Sequence, residues 1–173
     1  MAKLSRNRYL WSGETRVRSV AELCLLEALQ SRGLPVPAPI AAAYWREGAT
    51  YRAAIVVAKI ADARTLASSI IAGMDDAPGW NAVGAMISRF HGAGLEHGDL
   101  NAHNILFDAS DAPWLIDFDK SHLYAKLDRH KAEANLVRLE RSIRKIGAGQ
   151  SQAYLQRVID GLRSGYPSYG ESA

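Results

Sequence analysis

Apolar residues in the first third of the chain predict one helix followed by a β-hairpin. Over 15–32 they recur about every three residues, close to the helical period, and Gly33 is a typical helix stop. The run 34–39 contains three prolines, which restrict themselves and their predecessors to extended geometry and therefore exclude a helix. Two apolar strands then predict an antiparallel hairpin that turns at 47–48, and these strands are 40–45 and 51–57.

The remaining pattern predicts a mainly helical chain around a second, smaller hairpin. The helices are favoured by apolar positions at helical spacing, and the hairpin by two short apolar runs on either side of a turn. In chain order the predictions are a short helix at 65–72, a turn at 75–79, a helix from Trp80 to Phe90 that ends near Gly92, a loop at 97–104, strands at 105–107 and 114–116, helical faces at 136–146 and 154–162, and a loose tail over 164–173. Together they indicate an α+β fold in a single domain covering 1–173.

The composition is that of an ordinary globular protein. Apolar residues make up 48% and charged residues 23% of the 173 positions, which excludes a disordered chain. The apolar run 53–58 is too short to cross a bilayer and residues 1–10 lack the apolar centre of a secretion signal, so we expect a soluble or surface-bound protein. Cys24, the one cysteine, lies in an apolar helical pattern, and we expect it in the core of a protein from a reducing compartment.

The charge is distributed unevenly. Residues 1–18 carry five Lys and Arg against one Glu, and residues 120–145 carry eight against three acids, while the net charge of the whole chain is only +3. Two basic segments around an acidic middle predict an anionic partner, which could be lipid head groups or an anionic substrate. A solvated helix face is the alternative. No aromatic platform or helix-turn-helix accompanies the basic residues, so we predict no nucleic-acid partner.

The second hairpin is predicted to hold two oxygen-bearing side chains together. Asn104 comes directly before its first strand and Asp117 directly after its second. An antiparallel pair brings these two positions side by side at its open end. An amide oxygen and a carboxylate are hard ligands that suit Mg²⁺ bound together with substrate phosphates. The sequence therefore predicts a metal site at Asn104 and Asp117.

A third acidic side chain precedes this hairpin in the loop. Asp99 lies five residues before Asn104 and can face the same cavity without ligating the metal. That position suits a residue that orients an acceptor hydroxyl and takes its proton. His97, two residues earlier, is predicted to pack and hydrogen-bond behind the loop.

Other polar residues near the loop leave alternatives open. His103 could touch an acceptor or complete the loop, and Asp119 could hydrogen-bond the loop or add to metal binding. His91 and His122 are predicted to be surface residues.

The first helix offers a candidate for nucleotide binding. Asp99, Asn104 five residues later, the hairpin and then Asp117-Phe118 resemble the kinase pattern. In kinases a glutamate on the first helix pairs with a lysine that holds the α- and β-phosphates, and the resemblance implies that Glu22 lies where such a residue would be. A solvated glutamate is the alternative. The backbone around 58–60, at the end of the first hairpin, could bind adenine.

These motifs resemble a known family. The segments at 99–106 (Asp-Leu-Asn-Ala-His-Asn-Ile-Leu) and 114–120 (Trp-Leu-Ile-Asp-Phe-Asp-Lys) look like 3-deoxy-D-manno-octulosonic acid (Kdo) kinases, which are lipopolysaccharide-core kinases related to protein kinases. Segments 21–41 and 135–142 agree with this likeness. The Asn-Ala-His-Asn sequence at 101–104 distinguishes this family from aminoglycoside and choline kinases. Those kinases share only the broader pattern and remain a further alternative.

The resemblance implies a fold, an activity and a location. It implies a protein-kinase-like fold with a truncated small N-lobe over 1–60 and a mainly helical C-lobe over 61–163. It implies transfer of the γ-phosphate of ATP, with Mg²⁺, to the 4-hydroxyl of Kdo on a lipid A precursor at the cytoplasmic face of a Gram-negative inner membrane. Asp99 would be the catalytic base, Asn104 and Asp117 the metal ligands, and Glu22 would orient the phosphate-binding cation. No obligate protein partner is implied.

The sequence departs from the family in two respects. Asn101 replaces the Lys or Arg usual two residues after the catalytic Asp, and no glycine-rich segment precedes the first helix. The chain could be a fragment or begin at the wrong methionine; it could be an inactive relative that binds a lipopolysaccharide precursor or a partner. It could also be an active minimal kinase that uses Arg6, Arg8 or Arg16 on the phosphates; Lys3 is not assigned that role. A missing sheet edge predicts exposure of 55–57 and poor stability.

Overall fold

The computed structural model describes residues 9–14 and 17–166. In chain order the elements are β1 (Tyr9–Leu10), α1 (Arg18–Ser31), β2 (Pro39–Glu47), β3 (Thr50–Val57), β4 (Arg64–Thr65), α2 (Leu66–Ile71), α3 (Ala77–Gly92), β5 (Leu95–Glu96), β6 (Ile105–Phe107), β7 (Pro113–Leu115), β8 (His122–Leu123), α4 (Arg129–Ile146) and α5 (Gln152–Gly165). The predicted α+β class is confirmed. None of the helices in the described part is long and apolar enough to cross a membrane.

The first sheet is built on the predicted hairpin. β2 and β3 pair antiparallel from Glu47 opposite Thr50 onward, and β1 pairs with the other side of β3. α1 packs on this sheet, where the Ser19 hydroxyl donates to the carbonyl of Ala43 at 3.0 Å. Val56 and Val57 of β3 are 52% and 37% exposed, so the exposure predicted for 55–57 is confirmed at these two residues, while Ile55 is partly buried against the core.

The second sheet positions the loop that carries the predicted catalytic residue. β6 pairs antiparallel with β7 on one side and with β4 on the other. The Ile116 amide donates to the carbonyl of Asn104 at 3.0 Å, which extends the β6–β7 ladder to the end of the hairpin. The Leu115 amide donates to the carbonyl of Pro35, so the proline-rich segment lies against the same hairpin.

The core lies beneath this hairpin, between α3 and α5. Trp80 and Phe90 of α3 are almost completely buried and make edge or tilted contacts with Phe107 of β6 and Phe118. Every apolar residue predicted on the inner face of α5 is buried. The two helices approach closely at Gly84 and Gly165, where an added Cβ would collide with backbone atoms of the opposite helix.

Three predictions about local structure are wrong in part. The turn predicted at 75–79 ends early, because the Asp76 side chain accepts a hydrogen bond from the Gly79 amide and caps α3 from Ala77 onward. α5 continues to Gly165, two residues into the predicted tail; residues 167–173 lie outside the described part. Cys24 is exposed, because it does not lie on the buried face of α1, which carries Leu26 and Leu29.

The close approach of α3 and α5 can be tested with two glycines of one helix. Gly84→Ala places a methyl group against the carbonyl of Leu162, and overpacking of this kind costs about 1–3 kcal/mol of unfolding free energy. Gly92→Ala, at the end of the same helix, meets no atom within 4 Å and should leave stability unchanged or raise it by up to about 1 kcal/mol. Urea denaturation measures both, and equal effects would contradict the packing described.

Candidate active site

The loop at 97–104 is fixed to α4 by one buried side chain. Asn135 of α4 accepts a hydrogen bond from the His97 amide at 3.0 Å and donates one to the His97 carbonyl at 3.1 Å. Both residues are buried. Because this bidentate contact satisfies both backbone groups of His97, the start of the loop is held in one position relative to α4.

His97 also ties the loop to the hairpin. Its Nε2 lies 3.1 Å from the carbonyl of Ile116, and its Nδ1 accepts a hydrogen bond from the Asp99 amide at 3.2 Å. A carbonyl needs a donor and an amide an acceptor, so the ring is neutral with its proton on Nε2. Burial lowers the pKa of His97 and favours this neutral form. The predicted packing and hydrogen-bonding position of His97 is confirmed.

Asp99 and Asn104 meet across the loop. The side-chain amide of Asn104 donates to the carbonyl of Asp99 at 3.0 Å, which leaves its Oδ1 as the atom that could reach a metal. Asn101 accepts hydrogen bonds from the amides of His103 and Asn104. Asn101 thus shapes the turn, and it supplies no charge. His103 is exposed, with its backbone amide in this turn.

Asp117 lies beside Asn104 at the end of the hairpin. The backbone bond from Ile116 to Asn104 shows that the antiparallel ladder runs to the open end of the hairpin, where Asp117 is the next residue along the chain. Asp117 has a φ of 65°, a left-handed conformation that non-glycine residues rarely adopt outside turns and functional sites. An amide oxygen and a carboxylate fit Mg²⁺ that takes its remaining ligands from phosphates and water. Among the described residues no group of three or more His, Cys, Asp or Glu side chains forms a metal cage.

Glu22 of α1 faces the same region. Its Oε1 accepts a hydrogen bond from the Phe118 amide at 3.3 Å, directly after Asp117. Burial raises the pKa of Glu22, and the nearby Asp117 carboxylate acts in the same direction. Within 9–14 and 17–166 no ion pair to Glu22 is found. Arg6, Arg8 and Arg16, which would contact the phosphates if the chain is an active minimal kinase, lie outside the described residues.

Asp119 joins α1 to the loop after the hairpin. The Arg18 guanidinium donates to Asp119 Oδ1 at 2.6 Å and makes a second contact with its other oxygen. This ion pair with α1 is a contact that the sequence did not predict, and in the described residues no hydrogen bond from the Asp119 side chain to the loop at 97–104 is found. Arg18 was not singled out by the sequence, because nothing in the spacing of α1 indicates a partner 101 residues away.

A cavity of about 370 Å³ opens between the two sheets beside these groups. Its lining includes the apolar residues Leu26, Ile55 and Leu106 and the segment 58–60. Glu22, Lys59 and Asp117 are the charged residues of the lining. A largely apolar cavity with a few charged groups in its lining has the character of a binding site for a small molecule.

Two further residues near the loop were not indicated by the sequence pattern. Arg138 of α4 lies 3.3 Å from Asp99 Oδ1, and the Ser142 hydroxyl accepts a hydrogen bond from the Ala102 amide. With Asn135 they line up along one side of α4, each opposite a successive part of the loop. Asn135, Arg138 and Ser142 are three and four residues apart in the sequence. This spacing places all three on one helix face and is the feature that could have indicated their common position.

The prediction that His91 is a surface residue is wrong. Its side chain is 1% exposed, and its Nδ1 lies 2.8 Å from the Tyr166 hydroxyl at the end of α5. Burial lowers the pKa of His91 to about 4. His122 is exposed, as predicted.

Comparisons with known proteins agree with the geometry. The model of the "Lipopolysaccharide kinase (Kdo/WaaP) family" matches residues 1–161. Curated relatives named "3-deoxy-D-manno-octulosonic acid kinase" from Xanthomonas euvesicatoria, Xanthomonas axonopodis and Stenotrophomonas maltophilia are each 47% identical over 95% of this chain. The chain spans 66% of the length of each of these relatives.

The buried His91 predicts acid sensitivity of the fold. Because its folded-state pKa lies below the ordinary value near 6.5, the unfolded chain binds more protons as the pH falls from about 6.5 to 4, and stability is lost in that window. The loss attributable to His91 between pH 7 and pH 4 is about 3 kcal/mol. Urea denaturation at several pH values should show a shallower pH dependence for His91→Gln than for the unchanged chain.

The exposed His122 provides the control for this measurement. His122→Gln replaces an exposed histidine and should alter the pH dependence of unfolding less than His91→Gln, which replaces a buried one. If His91→Gln and the unchanged chain lose stability in parallel between pH 6.5 and 4, the imidazole is not buried in the neutral form.

Proposed function

We propose, since this chain belongs to the lipopolysaccharide kinase (Kdo/WaaP) family, that it contributes to transfer of the γ-phosphoryl group of ATP to a hydroxyl group of Kdo in lipopolysaccharide core biosynthesis. The observation that carries the proposal is the attachment of the Asp99 loop to one end of the β6–β7 hairpin. Asn104 donates to the backbone carbonyl of Asp99 and pairs through its own carbonyl with Ile116, the residue before Asp117, which lines a largely apolar cavity. That combination is typical of phosphoryl transfer to an alcohol.

Asp99 is proposed as the residue that orients the acceptor. Its carboxylate is exposed on the loop, while its own amide and carbonyl are bonded to His97 and Asn104. The backbone is therefore fixed and the side chain remains available to solvent and substrate. A carboxylate in this position accepts a hydrogen bond from the acceptor hydroxyl and takes its proton as the oxygen attacks phosphorus.

Asn104 Oδ1 and the Asp117 carboxylate are proposed as the ligands of Mg²⁺. When bound, the metal neutralises charge on the phosphates and fixes their orientation. The chain's own contribution is to hold the two oxygens at the end of one hairpin. The left-handed backbone conformation of Asp117 and the hydrogen bond from Asn104 to the Asp99 carbonyl support this proposal.

The cavity beside Glu22 is proposed as the nucleotide site. The backbone of 58–60 would receive the adenine, and the apolar walls would exclude water from its faces. Glu22 would position a phosphate-binding cation, as in kinases generally.

The acceptor is proposed to be the 4-hydroxyl of Kdo on a lipid A precursor, reached at the cytoplasmic face of the inner membrane. Residues 120–145 carry five more basic than acidic groups, and each Lys or Arg near an anionic surface gains roughly 1 kcal/mol. This charge supports a peripheral position on the membrane surface.

Removing the proposed base tests the activity. Transfer of label from γ-labelled ATP to a Kdo-lipid A acceptor in the presence of Mg²⁺ should fall by about 100- to 10,000-fold in Asp99→Asn, because the amide cannot take the proton. The KM for ATP should stay unchanged. Acceptor binding without any transfer would instead favour an inactive binding protein, and transfer to choline or an aminoglycoside but not to Kdo would overturn the proposed acceptor.

The metal ligands can be tested with two aspartates of the same backbone conformation. Asp117→Asn should raise the Mg²⁺ concentration needed for half-maximal transfer by at least about tenfold, since one carboxylate ligand is lost. Asp111 also has a positive φ, but it lies in the turn between β6 and β7 and pairs with Arg64. Asp111→Asn should leave the Mg²⁺ requirement unchanged; an equal effect of both substitutions would contradict the metal assignment.

A further inference from the structure

A row of cations lies along α4 beside the loop that carries Asp99. Arg138 contacts Asp99, and Arg141 and Lys145 follow three and seven residues later, which places them on the same side of the helix. All three are exposed. Arg141 and Lys145 have no ion pair within the described residues.

The acidic residues of α4 do not offset this charge. Glu133 and Glu140 both bind Arg163 of α5, at 2.6 Å and 2.5 Å, on the opposite side of the helix. The side facing the loop therefore carries only positive charge. Asn135 and Ser142 fix this side against the loop at both ends, so the position of Arg138 relative to Asp99 is set by the fold.

The contact between Arg138 and Asp99 is not explained by stability. Their side chains are 54% and 57% exposed and lie 3.3 Å apart. Solvated ion pairs of this kind typically contribute less than about 1 kcal/mol. Both groups are accessible to a ligand, and the pair is a single contact that leaves most of the five guanidinium donors free.

We propose that Arg138 binds the carboxylate of the acceptor sugar acid and so sets which acceptors Asp99 can reach. This inference rests on the proposed function, from which it takes the acceptor. A hydroxyl that gives its proton to Asp99 must lie within hydrogen-bond distance of that carboxylate. A cation 3.3 Å from Asp99 is then close enough to contact another substituent of the sugar ring that carries the reacting oxygen. In Kdo the carboxylate is attached two ring carbons from the 4-hydroxyl.

The direction of approach favours the acceptor over the nucleotide as the ligand of Arg138. The proposed metal ligands and the apolar cavity reach the site from the hairpin and α1. Arg138 reaches Asp99 from α4, which packs against α2, α5 and β5. A planar guanidinium binds a carboxylate through two parallel hydrogen bonds, so it can orient the sugar ring as well as attract it.

Binding of small acceptors to the full chain tests this directly. The probes are the α-methyl glycoside of Kdo and its methyl ester, which differ only in the charge of the carboxyl group. Titration followed by amide NMR should show the acid binding roughly 10- to 100-fold more tightly than the ester. Arg138→Gln should abolish this preference. Arg138→Lys should retain part of it, because lysine keeps the positive charge but lacks the planar group that makes two parallel hydrogen bonds.

Arg144→Gln is the matched control. Arg144 lies on the same helix, but its guanidinium is hydrogen-bonded to Gln156 of α5. This variant should keep the full preference for the acid. In transfer assays Arg138→Gln should raise the KM for the acceptor, with the KM for ATP unchanged.

The outcomes separate this inference from the proposed function. If the unchanged chain binds neither compound, or if Arg138→Gln binds acid and ester as the unchanged chain does, the inference is wrong. An increase in the KM for ATP alone would assign Arg138 to the nucleotide and also overturn it. A charge-dependent loss of acid binding in Arg138→Gln, without phosphoryl transfer by any variant, would support the acceptor site and refute the proposed activity.

Discussion

The arrangement of the site depends on the paired hydrogen bonds between Asn135 and the backbone of His97. A loop that carries functional groups has few regular hydrogen bonds of its own, and its backbone must be satisfied from elsewhere. Here one buried amide satisfies both groups of a residue, and the His97 ring continues the connection to Ile116 and Asp99. Loss of this contact would leave buried polar groups unpaired and free the loop from α4.

The consequences of that contact extend to both ends of the loop. At one end Asp99 is presented to solvent next to Arg138, and at the other Asn104 enters the hairpin that ends at Asp117. The loop at 97–104, the β6–β7 hairpin and α4 are therefore held at a fixed spacing. Glu22, through the Phe118 amide, joins α1 to the same assembly. The site is thus built by connections between elements, and no single segment contains it.

The sequence predicted the parts of this site that depend on local geometry. Asn104 and Asp117 flank a short hairpin, and antiparallel pairing alone brings such positions together. The position of His97 behind the loop followed from the same segment. Arg138 and Asn135 could not be placed in this way, because their contacts depend on how α4 is rotated and docked. The prediction that His91 is exposed was wrong for a related reason. Tyr166, at the end of α5 and 75 residues later in the sequence, contacts the His91 ring.

The most direct test of the account is where a divalent metal binds when nucleotide is present. Mn²⁺ can replace Mg²⁺ at oxygen ligands, and its unpaired electrons broaden the NMR signals of nearby amides. With a non-hydrolysable ATP analogue bound, we predict that substoichiometric Mn²⁺ broadens the amides of 99–104 and 117–119 first. Broadening that spares both segments while affecting acidic residues elsewhere would contradict the placement of the metal between Asn104 and Asp117.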